Sequence, residues 1–240
     1  MTKLREKSEI WFAVIWIIAY VVIFSVCDSV SEQIGLVKSV TLAACVLLSI
    51  IICAFVKKNG FMEYYGLCKG EYDVKNWLYF IPVVLMSTTN FWFGLQLNRS
   101  VLESILYAAS MIFVGFLEEV IFRGFLFKAM SKDNMKSAII VSSITFGMGH
   151  IVNLLNGSAF LPTMLQIIYA VAIGFMFTII FVKSGSILPC IISHIVVNTS
   201  STFSGDRGTV EAIITCVFIT VVSFGYGLYL MKKIPDKISQ

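Results

Sequence analysis

The sequence predicts an all-α, polytopic membrane helix bundle of about eight transmembrane helices with both termini cytoplasmic. Three observations carry this. The chain is 58% hydrophobic and 13% charged, with a mean hydropathy of +0.89, whereas soluble domains average roughly 45–50% apolar and about 25% charged. Its apolar residues fall into runs close to the ~20 residues that a helix needs to cross the hydrocarbon core. Its basic residues gather in alternate connections. No stretch is polar and long enough for a separate soluble domain, so residues 1–240 are expected to form a single integral membrane domain.

The eight apolar segments lie at about 10–27, 36–56, 77–96, 105–127, 137–155, 161–182, 187–203 and 210–231. The first follows Lys3, Arg5 and Lys7, as a signal peptide would. No small-x-small cleavage site follows it, so a retained helix is expected. Pro82 falls inside the third segment, while Pro162 and Pro189 open the sixth and seventh, where no amide hydrogen bond is lost. The seventh is short and polar, with His194, Asn198 and hydroxyl residues at 199–202. Lipid cannot satisfy such groups, so neighbouring helices must shelter it.

Of the 18 Lys and Arg, 14 fall on the side of the N-terminus, the 57–76 and 128–136 connections, Lys183 and the C-terminal end. Three (Lys38, Arg99 and Arg207) fall on the other side, and Arg123 lies within the membrane. The positive-inside rule then assigns the richer side to the cytoplasm. The 57–76 connection interleaves charges with Phe61, Met62, Tyr64, Tyr65 and Leu67. That pattern fits either an amphipathic piece on the inner surface or an ordinary loop. The net charge of +4 is spread over short loops and argues against a nucleic-acid partner. The six cysteines form no C-x-x-C pair, so neither a disulfide framework nor a zinc ribbon is indicated.

The polar residues within the apolar runs carry the chemistry. Intramembrane ionisable groups are costly and mark candidate functional sites. Phe116 to Lys128 reads FLEEVIFRGFLFK. At 100° per residue, Glu119 and Arg123 share a face, which leaves Glu118 without a local partner and free to act as a general base. Phe146 and His150 are four apart on the fifth segment, beside Gly147 and Gly149, which allow close helix approach or room for a substrate backbone. His194 and Asn198 are four apart on the seventh and project two donors that could hold an oxyanion. Cys190 and His194 also share a face, but no third residue orients the imidazole as a cysteine protease requires. Such groups also serve proton relays, so a proton-coupled transporter, or a non-enzymatic membrane immunity or regulatory protein, is the alternative to a hydrolase.

In order, Glu118-Glu119-x-x-x-Arg123, Phe146-x-x-x-His150 and His194-x-x-x-Asn198 resemble the three motifs of the CPBP intramembrane proteases. That family includes the type II CAAX prenyl endopeptidases and the bacteriocin-processing and immunity (Abi) enzymes. The resemblance covers about 100–205, which would be the catalytic core. It implies an eight-helix intramembrane endopeptidase in which Glu118 and His150 activate water and His194 and Asn198 form the oxyanion hole. Glu119, Arg123 and Phe146 would support them. The family is often described as metalloproteases, and Glu118, His150 and His194 meet the ligand count of a catalytic zinc site. The H-E-x-x-H signature is absent, so a divalent metal, zinc, stays open. The implied partners are the lipid bilayer and a membrane-associated peptide or protein substrate. Short loops and the lack of a eukaryotic targeting signal suggest a bacterial plasma membrane. They also favour maturation of a signal peptide or bacteriocin, or immunity, over CAAX-type processing. The site is expected to be a water-filled cavity open toward the cytoplasm.

Overall fold

The computed structural model describes residues 1–238. The elements are the helices α1 (Thr2–Lys7), α2 (Glu9–Ile34), α3 (Ser39–Lys58), α4 (Ile81–Ser87) and α5 (Val101–Glu119). A π-helix over Val120–Phe127 follows, and then α6 (Lys128–Ser131), α7 (Met135–Met148), α8 (Val152–Leu155), α9 (Phe160–Ser184), α10 (Leu188–Ser200) and α11 (Thr209–Lys233). Six stretches are long and apolar enough to cross a membrane: Glu9–Ile34, Ser39–Lys58, Val101–Ser131, Met135–Leu155, Phe160–Ser184 and Thr209–Lys233. The third and seventh expected segments are also helical but shorter. The protein is therefore a multi-pass membrane protein with an all-helical fold.

Local sequence explains most boundaries. Ser8 caps α2 through its hydroxyl, and Gly35 ends it in the left-handed conformation. Ser100 and Glu103 form a reciprocal capping box at the start of α5. Pro82 sits in the first turn of α4. It opens that helix where a continuous third span was expected, because a proline has no amide hydrogen to give to a preceding turn and so fits a first turn better than a helix interior. Phe80, two residues earlier, has φ 57 and is held by edge contacts with Tyr72 and packing on Trp77.

Both termini lie at one end of the bundle. Arg5 donates to Tyr65, Lys132 pairs with Glu9, and Lys183 pairs with Asp236. The 59–67 stretch forms turns at this end. It buries Tyr65 against Phe125 and does not lie out as an amphipathic helix. Gly66 (φ 72) is pressed onto the Phe181 ring and gives its carbonyl to the Ile187 amide. The opposite end holds the α2–α3 turn, where Lys38 pairs with Asp28, and an isolated bridge between Leu95 and Ser204.

Exposed apolar side chains, among them Ile18, Val22, Leu47, Ile50, Val217 and Val221, cover the outer faces of α2, α3 and α11. Lipid solvates them, so cohesion depends on close packing inside. Gly147 on α7 shows this: an added Cβ would lie 2.8 Å from the Val171 amide nitrogen and 2.3 Å from its Cγ2 on α9. Gly149 has only Phe122 Cζ, at 4.0 Å. Gly147→Leu should therefore destabilise the detergent-solubilised protein by about 1–3 kcal/mol. Gly149→Ala should stay within about 0.5 kcal/mol. Denaturant unfolding measures both, and equal effects would contradict this packing.

Candidate active site

The polar residues meet where α5 passes into the π-helix. Glu118 and Glu119 are the last two residues of α5, and Arg123 lies in the π-helix. A π-turn is wider and rarer than an α-turn and recurs at functional sites. Here all eight of its residues are buried. Ser142 of α7 donates to the Phe122 carbonyl at 3.0 Å, satisfying one acceptor of the rewound backbone. A Cβ at Gly124 would stand 3.6 Å from Tyr65 Cβ, an ordinary packing distance.

The expected pair forms. Arg123 Nη1 donates to Glu119 Oε1 at 3.0 Å, and both side chains are fully buried. The same oxygen lies 2.8 Å from His194 Nδ1. With Glu119 ionised opposite Arg123, its carboxylate only accepts, which makes His194 Nδ1 the donor in this contact. Arg123 Nε and Nη2 have no hydrogen-bond partner among the described residues. The guanidinium instead lies 4.1 Å above the Phe146 ring and 5.6 Å from Phe177, a cation–π arrangement that partly offsets its desolvation.

Glu118 turns the other way. Its Oε1 accepts from the Tyr20 hydroxyl at 2.8 Å, and its Oε2 lies 3.5 Å from His194 Nε2. That gap is too long for a formed hydrogen bond, though catalytic contacts are often loose before substrate binds. With an acceptor at each end of the ring, the imidazolium is the form that donates both ways. In that form Glu118, Glu119, Arg123 and His194 carry no net charge together. Phe146 packs edge-on against both His150 and His194, at 5.8 and 5.6 Å. His150 and Asn198 line the same cavity. Neither side chain hydrogen-bonds to the Glu–Arg–His cluster among the described residues. Cys190 gives its thiol to the Phe177 carbonyl and not to His194, which removes the cysteine-protease geometry.

Tyr20 was not singled out in the sequence. It lies on α2, 98 residues before Glu118. Its one signal is a hydroxyl near the middle of an otherwise apolar span, a place where such a group needs a partner.

The cavity measures about 310 Å³, at the small end of ligand clefts. Phe122, Phe146 and Phe177 close it on one side. From there it follows Tyr20 to Asp28 on α2, Glu118 back to Tyr107 on α5, Phe177 back to Gln166 on α9, and His194 on α10 to Ser201 just beyond its end. Each path leads away from the end that carries the termini. The expected opening toward that end is therefore reversed. The reason is packing: Phe12, Tyr65 and Phe125 fill the space below the floor.

The three potential metal donors are not arranged as a metal site. No cluster of three His, Cys, Asp or Glu able to hold an ion occurs among the described residues. His194 faces a carboxylate at each nitrogen, and Tyr20 occupies Glu118 Oε1.

The fold and the buried polar cluster place this protein among multi-pass membrane proteins with an intramembrane site. Residues 100–200 match the family described as type II CAAX prenyl endopeptidase Rce1-like. This match supports the CPBP/CAAX protease family and, in general, a membrane endopeptidase of CAAX type. No curated protein and no solved structure matches the chain. The match spans Glu118, Glu119, Arg123, Phe146, His150, His194 and Asn198, and leaves Tyr20 outside.

Arg123→Leu would strand the buried Glu119 charge and should cost about 3–5 kcal/mol. Adding Glu119→Gln should recover part of that loss. Denaturant unfolding of the single and double variants checks this, and a double variant no better than Arg123→Leu alone would contradict the pairing.

Proposed function

We propose that the protein is an intramembrane endopeptidase that hydrolyses a peptide bond of a membrane-associated peptide or protein. The observation that carries the reading is Glu118. Tyr20 fixes one of its carboxylate oxygens, and the other faces His194 in the wall of the cavity. A carboxylate held in this way is a general base with a defined direction.

Glu118, with His150 across the cavity, positions a water, and Glu118 takes its proton as the oxygen attacks the scissile carbonyl carbon. As Glu118 loses its charge, the His194 Nε2–H is released to the developing oxyanion. The Asn198 carboxamide supplies the second donor. Collapse of the intermediate breaks the C–N bond, and the proton held on Glu118 passes to the leaving amine. Glu119, held by Arg123, keeps the Nδ1 proton of the His194 imidazolium in place and fixes the ring plane, so that Nε2–H is the donor left for the cavity. No step is routed through a metal. Residues 100–205 are the proposed catalytic core, completed by Tyr20 from α2. A role in signal-peptide or bacteriocin maturation, or in immunity, at a bacterial plasma membrane suits the short loops better than CAAX-type trimming does.

Peptidomics of cells carrying the wild type or Glu118→Gln, repeated on purified protein with and without a chelator, tests the reading. Glu118→Gln should abolish cleavage in a protein that still inserts and folds; full activity in that variant would refute the assignment. Tyr20→Phe removes a hydrogen bond to a charged group, worth about 1.5–3 kcal/mol. It should slow turnover by roughly 10- to 100-fold, as single-turnover kinetics would show.

A further inference from the structure

We infer that the cavity admits an extended peptide from the end of the bundle opposite the termini, the extracytoplasmic face, and grips it through its main chain. The peptide in this inference rests on the endopeptidase reading above; the direction of access does not.

The direction comes from the shape of the cavity and the distribution of charge. The floor of Phe122, Phe146 and Phe177 lies between the site and the termini. Beneath it Arg123 is fully buried, and Phe12, Phe125 and Phe127 are nearly so. Among the described residues, these buried side chains fill the space between Glu118 and the terminal end. The terminal end also carries 14 of the 18 basic residues and the opposite end three, which orients the termini to the cytoplasm. Together these point the mouth outward.

The wall suggests what enters. Between Glu118 and the mouth stand Asn153, Asn156, Gln166 and Asn198. The Asn153 amide donates to Gln166 Oε1 at 2.9 Å, leaving Asn153 Oδ1 and the Gln166 amide for a ligand. The side chains of Asn156 and Asn198 make no hydrogen bond among the described residues. Asn90, also in the wall, is already engaged by Arg207, Val197 and Ser200. The two charges at the mouth, Asp28 and Lys38, neutralise each other at 2.6 Å. Carboxamides carry both donor and acceptor, as a peptide unit does, so this wall matches an extended backbone better than a charged head group. From Tyr107 to Glu118 the wall rises about 16 Å. An extended strand advances roughly 3.3 Å per residue, so four or five residues fit between the mouth and the scissile bond.

The test keeps the full chain and its native cysteines. Asn153→Cys in the cavity wall and Lys58→Cys at the other end are introduced singly. A charged, membrane-impermeant methanethiosulfonate is applied to intact cells and to inverted vesicles, and each site is read by mass spectrometry. Asn153→Cys should react in intact cells and Lys58→Cys only in inverted vesicles. The reverse pattern overturns the direction of access. Ser201→Cys, also in the wall, replaces Asn153→Cys if that variant does not fold.

Recognition is read on purified protein in nanodiscs with a pool of uncharged quenched-fluorescent decapeptides. A polyethylene-glycol maleimide on Asn156→Cys should lower cleavage at least tenfold, and the same adduct on Lys58→Cys should leave it unchanged. Asn156→Leu combined with Gln166→Leu should raise KM at least fivefold with kcat little altered. An unchanged KM overturns main-chain recognition. If Asn153→Cys labels from outside while the wild-type protein cleaves none of the pool, the endopeptidase reading is overturned and the direction of access stands.

Discussion

Glu119 carries the site. Its Oε1 meets Arg123 at 3.0 Å and His194 at 2.8 Å, joining two segments of the family-matched stretch through one buried atom. Removing a charge from such a cluster strands its partners, while the cluster as a whole costs desolvation that hydrophobic packing would not. It therefore makes sense as a device for orientation. It fixes the imidazole ring, assigns the Nδ1 proton to the Glu119 side, and turns Nε2 toward Glu118.

The surrounding structure follows from accommodating that cluster. The backbone widens into a π-helix immediately after the two glutamates, and Ser142 takes one of its carbonyls. Phe146 and Phe177 flank the guanidinium and also close the floor of the cavity. The same two rings thus compensate a buried cation and decide which way the site opens. Tyr20 completes the asymmetry between adjacent glutamates: Glu119 is locked from the protein side, and Glu118 is held by one oxygen with the other left toward the cavity.

Much of this was legible in the sequence, and the remainder was not for identifiable reasons. Each of the eight apolar segments corresponds to a helix, because hydropathy over such lengths overrides local detail. The Glu119–Arg123 pair followed from spacing alone. The shortness of the third helix turned on Pro82 starting α4, where its position within an apolar run suggested an interior site. The π-helix leaves no mark in VIFRGFLF, since its cause is tertiary packing. Tyr20 was hidden by distance along the chain. The direction of the cavity was hidden because aromatic residues such as Phe12, Tyr65 and Phe125 pack a floor as readily as they face lipid, and only their contacts tell the two apart. The 59–67 turns were ambiguous for a related reason: Tyr65 among charges reads equally as a surface anchor or as a plug.

The central claim is that Glu119 fixes His194 in the form protonated at Nδ1, so that Nε2 serves the cavity. The chain has only two histidines, which makes the claim accessible to nitrogen NMR of the histidine-labelled protein, with His150→Gln providing the assignment. The account predicts a His194 Nδ1 that is protonated and strongly hydrogen-bonded, and a resonance that shifts in Glu119→Gln. A His194 whose Nδ1 is unprotonated, or whose spectrum is indifferent to Glu119→Gln, would contradict it.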